Sequence, residues 1–74
     1  MTINTTKYEF SHGRKPRGYG QWMFEVLGSD GAGAYTTSTY TVLDWYRLAV
    51  HEAARRLKRE CGAVKSVIEV TVLP

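Results

Sequence analysis

The sequence predicts an α+β fold of order β-β-β-α-β, a four-stranded sheet with one helix packed on one face. Three patterns predict it: alternating apolar runs near residues 22–27 and 67–72, a Thr/Ser-rich run at 36–39, and an apolar stripe of helical period from Leu43 to Cys61. Tyr8 and Phe10 alternate with Lys7 and Glu9, which predicts a first strand over about residues 4–11. Trp22, Phe24 and Val26 alternate with Met23, Glu25 and Leu27 in a second strand, ended by the turn signal Gly28-Ser29-Asp30-Gly31. A third strand of high β propensity is expected from about Ala34 to Tyr40. Thr41 followed by Asp44 reads as a helix start. Leu43, Tyr46, Val50, Ala53, Leu57 and Cys61 then recur at three- and four-residue steps, with Gly62 placed for a left-handed cap. Val67, Ile68, Val70 and Val72 make the last strand.

Three sequential antiparallel strands and a returning helix bring the fourth strand in beside the first, which gives the order 3-2-1-4. This layout resembles the first half of ribonuclease H-like folds and the small HicB-like antitoxin domains. One helix covers one face only. Tyr8, Phe10, Trp22, Phe24, Ile68, Val70 and Val72 are expected to face it. Lys7, Glu9, Met23, Glu25, Leu27, Val67, Glu69 and Leu73 then lie on the open face, a surface for a partner or for a second copy of the chain.

Seventy-four residues suffice for one domain, residues 1–74, with a modest core. The 43% hydrophobic and 23% charged composition is that of a folded protein and not of a disordered tail. Cys61 is the only cysteine, so an internal disulfide and a multi-cysteine metal site are both excluded. No run is long and apolar enough to cross a bilayer and no secretory signal is evident, so a reducing cytoplasm and no membrane partner are expected.

The net charge of +3 is unevenly spread. Arg14, Lys15 and Arg17 share one loop with His12 and Tyr19, where Gly13, Gly18 and Gly20 permit close backbone approach and Pro16 limits mobility. Arg47, His51, Arg55 and Lys58 or Arg59 form a helical stripe that could follow phosphates, while Glu52 and Glu60 are spaced to pair with Arg56. Tyr19 offers a stacking surface beside the cations, the combination single-stranded nucleic acid uses. Trp45 falls off the apolar stripe and is expected at the edge of the core, the alternative being an anchor for a partner.

Catalytic groupings are sparse, and no enzyme, cofactor or metal is expected. His12 and His51 lack companion ligands, Ser11-His12 lacks a third member, and Cys61 ends an apolar stripe as a small hydrophobe. Gly18-Tyr19-Gly20 precedes a strand and opens no helix, so it is not a dinucleotide fingerprint. Glu9, Glu25 and Glu69 on neighbouring strands are expected to take part in cross-strand charge pairing, with Lys7 able to neutralise one of them, and a divalent-metal site for phosphodiester cleavage is the alternative.

The run from His12 to Phe24, HG-x-x-P-x-G-x-G-x-W-x-F, resembles small proteins of phages and mobile elements. In size and plan the chain is similar to anti-CRISPR proteins. That resemblance implies a non-enzymatic inhibitor that occupies a bacterial nucleoprotein complex, a CRISPR effector, in the host cytoplasm. Arg14, Lys15, Arg17, Tyr19, Arg55 and Arg59 are the expected contact residues. A small nucleic-acid-binding or HicB-like antitoxin regulator using the same cations is the alternative, and a dimer through the open sheet face is compatible with both.

Overall fold

A computed structural model describes residues 1–74 as β1 (Thr2–Asn4), α1 (Thr6–His12), β2 (Tyr19–Ser29), β3 (Tyr35–Trp45), α2 (Tyr46–Glu60) and β4 (Ser66–Val72). The four strands form one mixed sheet of order β1-β4-β2-β3. β2 pairs antiparallel with both β3 and β4, whereas β1 adds parallel to β4 at the edge. β3 and β4 therefore run the same way on either side of β2. The helix between them is the crossover that such a pair requires.

The fold class is α+β, but the order 3-2-1-4 and the single helix are not what forms. Of residues 4–11, read as a strand, only Asn4 lies in one, at the end of β1, and Thr6 to Ser11 instead belong to the short helix α1. The Asn4 side chain accepts the Thr6 amide at 3.1 Å, and the Thr5 hydroxyl donates to the Glu9 carboxylate. Gly13 closes the helix in the left-handed region at φ +69°, its amide donating to Glu9 O at 2.8 Å. The alternation of Tyr8 and Phe10 is incidental: Tyr8 is buried and Phe10 is 94% exposed. With that segment withdrawn, β4 takes the place beside β2.

The second correction concerns where α2 begins. β3 runs on to Trp45, and Thr41 and Asp44 are strand residues, not caps. Val42 pairs with Trp22 across the sheet and is buried, a contact a helix starting at Thr41 would forfeit. Leu43 thus leaves the helical stripe for the open face. Val50, Ala53 and Leu57 are buried as the period demands, joined by Ala49 and Ala54, while Tyr46 and Cys61 are half-buried against the same core. Cys61, not a left-handed Gly62, follows the last turn, in extended backbone at φ −120°.

Trp22, Phe24 and Val26 of β2 face the helices and are buried, with Val70 and Val72 beside them. A bulge between Leu27 and Gly28 opposes Gly28 to Val67 and shifts the alternation of β4 by one. Val67 consequently packs on the core and Ile68 is exposed, the reverse of the expected assignment. Both helices lie on one face. The Tyr8 ring meets Trp22 at 5.5 Å and Trp22 meets Tyr46 at 5.1 Å, so α1 and α2 share the side to which Trp22 points. The opposite face carries exposed Tyr19, Met23, Tyr35, Leu43, Trp45 and Ile68, and neither helix covers it. No helix is long and apolar enough to cross a membrane.

Candidate binding surface around residues 13–18

The loop between α1 and β2 is held at both ends and in the middle. At its start, His12 stacks on Tyr8 at 4.1 Å, and Tyr8 is itself fixed against Trp22. At its end, Gly18 O accepts the amide of Tyr46, the first residue of α2, at 2.8 Å. Between them Pro16 is buried, whereas Arg14, Lys15 and Arg17 are exposed. Gly18 adopts φ +89°, a conformation side-chain-bearing residues rarely reach. A buried proline among three exposed cations makes a rigid, positively charged projection.

None of those three cations is in an ion pair, since every salt bridge in the molecule ends on Glu52. Arg55 and Arg59 each reach the Glu52 carboxylate at 3.2 Å, and Arg56 lies 3.8 Å from it. The two hydrogen bonds from Arg59 and Arg55 hold the Glu52 carboxyl below its ordinary range. Arg56 also donates to Thr41 O at 3.2 Å, and Glu60 accepts from the Tyr40 hydroxyl instead of pairing with Arg56. The structure thus separates two groups of expected contact residues. Arg14, Arg17 and Tyr19 line one groove and Lys15 lies between the two arginines in the loop, all three cations free of ion pairs, while Arg55 and Arg59 are engaged within α2.

Trp45 does not sit at the edge of the core, where the sequence placed it first, but in the exposed position that was its alternative. It is 58% exposed at the strand-to-helix junction and lies opposite Tyr19 in the β2–β3 register. The two rings meet edge to face, 5.5 Å apart at 72°. Its departure from the Leu43/Tyr46/Val50 stripe was the available signal. Two grooves flank the loop and share Arg17. One, of about 740 Å³, runs between Pro16, Trp45, Arg47, Leu48 and His51. The other, of about 450 Å³, lies between His12, Arg14, Tyr19, Gln21 and Met23, over Trp22, whose buried indole N–H has no hydrogen-bond acceptor. Neither groove contains an acidic side chain.

The carboxylate arrangement needed for metal-dependent cleavage does not assemble. Glu9 rides on α1, on the helix side, where its charge adds to burial in raising the Tyr46 hydroxyl above its ordinary range. Glu25 and Glu69 sit on β2 and β4, offset in register, with Glu25 opposite Thr71 and Glu69 opposite Leu27. No three His, Cys, Asp or Glu side chains gather where they could hold a metal ion. Comparison with known protein families, curated proteins and solved structures returns no match.

Proposed function

We propose that this chain is a non-enzymatic binding protein of the phage-inhibitor type, acting in the bacterial cytoplasm by occupying the nucleic-acid-bearing surface of a nucleoprotein complex such as a CRISPR effector. The observation that carries this reading is the set of unpaired cations Arg14, Lys15 and Arg17 fixed around buried Pro16. Solvated surface charges are usually mobile and often paired. Here the backbone is anchored at Gly18 and on both sides of the loop by aromatic contacts, so little backbone ordering entropy remains to be lost on binding, and the cost left is that of the cations' own side chains. Inhibition by occupancy needs affinity and position, and no reacting group.

The exposed Tyr19–Trp45 pair favours a second reading, a small regulator that binds single-stranded nucleic acid directly, because an aromatic platform beside free cations is what such strands use. The two readings separate in one experiment. Effector complex and its bare guide RNA are immobilised in parallel, and retention of the parent and of the Arg14→Ala/Arg17→Ala variant is measured. The inhibitor reading expects retention by the complex, loss with the double variant, and weak retention by bare RNA. Equal retention on both supports expects the regulator. Undiminished retention of the double variant removes the loop from either role.

A further inference from the structure

The groove between the loop and the start of α2 has the chemistry of a nucleotide seat. Its volume of about 740 Å³ is within the roughly 300–1,000 Å³ of small-molecule sites. One wall is the indole of Trp45, exposed yet braced from the other side by the edge-to-face contact with Tyr19. A braced aromatic ring binds a flat partner with little loss of rotamer freedom. The same groove is lined by Arg17 from the loop and Arg47 from α2, neither in an ion pair, and His51 follows Arg47 one turn along the same helix side. Pro16 and Leu48 add apolar lining. A lining of donors and cations without a carboxylate selects an anion, and the indole selects a planar ring attached to it.

We infer that this groove seats one nucleotide, its base stacked on Trp45 and its phosphate between Arg17 and Arg47. The inference deepens the second reading, direct binding of single-stranded nucleic acid, and rests on it, since Arg17 belongs to both the loop and the groove. The nucleotide comes either from a single strand or from a free mononucleotide. Because neighbouring phosphates of a strand would continue toward Arg14 and Lys15, a strand binds more tightly than its monomer.

Trp22 is buried and Trp45 is exposed, so quenching of tryptophan fluorescence reports on Trp45. The protein is titrated with a short single-stranded oligothymidylate, with AMP, with adenosine and with inorganic phosphate. Saturable quenching by the oligonucleotide, weaker quenching by AMP, and none by adenosine or phosphate at matched concentrations is the expected result. Stronger binding of AMP than of the strand keeps the seat and reassigns its ligand to the free nucleotide. Anisotropy of a labelled oligonucleotide is then measured against Trp45→Ala, Trp45→Phe and Arg47→Ala, with circular dichroism as the folding check. Losing the stack is expected to weaken binding about 5- to 150-fold, with Trp45→Phe between parent and alanine variant. Oligonucleotide binding undiminished in both Trp45→Ala and Arg47→Ala overturns the seat. If Arg14→Ala/Lys15→Ala abolishes that same binding, the loop reading survives alone. If the effector complex is retained while no nucleotide quenches, the seat is wrong and the loop acts on protein.

Discussion

Gly28 lies directly under Val64: a Cβ built on this glycine would come 2.7 Å from Val64 Cγ1 and 2.8 Å from Leu57 Cδ2. The close approach joins β2 to the loop after α2, at the bulge where β4 changes register. Gly28 has an ordinary negative φ, so the demand is one of space and not of backbone conformation. Gly28→Ala is therefore expected to destabilise the protein by about 1–3 kcal/mol through overpacking. A domain of this length has roughly 4–11 kcal/mol in all, so the loss will be plain in a thermal melt. Gly28→Ala combined with Val64→Ala should cost less than the sum of the two single changes. Strict additivity would show that a methyl at position 28 and the Val64 side chain do not compete for that space.

How much of this was legible from residues alone differs by element. The centre of α2 follows from Val50, Ala53 and Leu57, whose period leaves one solution, and the inward set of β2 follows from Trp22, Phe24 and Val26. α1 was masked because Tyr8 and Phe10 alternate by chance. Thr6 with Glu9 three residues on, closed by Gly13, was a competing helix signal within the same segment. The only local mark of the bulge at Leu27/Gly28 is Gly28 itself, which in the run Gly28-Ser29-Asp30-Gly31 reads equally as the start of the turn. The loop cations were legible by composition. Their freedom from ion pairs, the burial of Pro16 and the pairing of Tyr19 with Trp45 depend on distant neighbours, which no local pattern encodes.

Glu52 gathers three arginines, and two consequences follow from neutralising it. Its carboxyl titrates below the ordinary value of 4.5, so its share of stability is fully present above that value and is lost as the pH falls through the depressed one. Glu52→Gln should lower the melting temperature at about pH 7, and the gap to the parent should narrow as the pH falls below 4.5 and close once the carboxyl is protonated. The substitution also frees Arg55 and Arg59. If these belong to the polyanion surface, oligonucleotide affinity rises in the variant; unchanged affinity confines the surface to the loop and the adjoining groove.

β3 forms one edge of the sheet and has uncharged side chains from Tyr35 to Leu43. Two bonds fix which of its backbone groups are free. Met23 O accepts from Leu73 on the β4 side, so the odd residues of β2 point away from β3, and Thr41 O accepts from the Arg56 side chain beyond the edge. Thr37 and Thr39 amides therefore face outward, while those of Ser38 and Tyr40 are in the ladder. Hydrogen exchange followed by NMR should show this alternation, fast at 37 and 39 and slow at 38 and 40. Protection of all four that grows with protein concentration would instead reveal a second chain added at this edge.

Pro16 and Arg14 allow rigidity and charge to be tested apart. Arg14 acts through its charge, so Arg14→Ala should both weaken oligonucleotide binding and reduce the slope of log K against log salt, by about 0.7 for each phosphate of a single strand that is no longer neutralised. Pro16 carries no charge but is buried and restricts the loop. Pro16→Gly keeps every cation while enlarging the set of unbound conformations, an effect on the order of 0.4–1 kcal/mol for backbone substitutions of this kind. It should therefore lower affinity about two- to fivefold and leave the salt slope where it was. A slope that falls with Pro16→Gly would mean that the loop's cations lose their phosphates when it loosens, and that position and charge act together. An unchanged affinity would mean that Gly18 and the aromatic contacts of His12 and Tyr8 hold the loop without the proline, leaving its burial to serve the core alone.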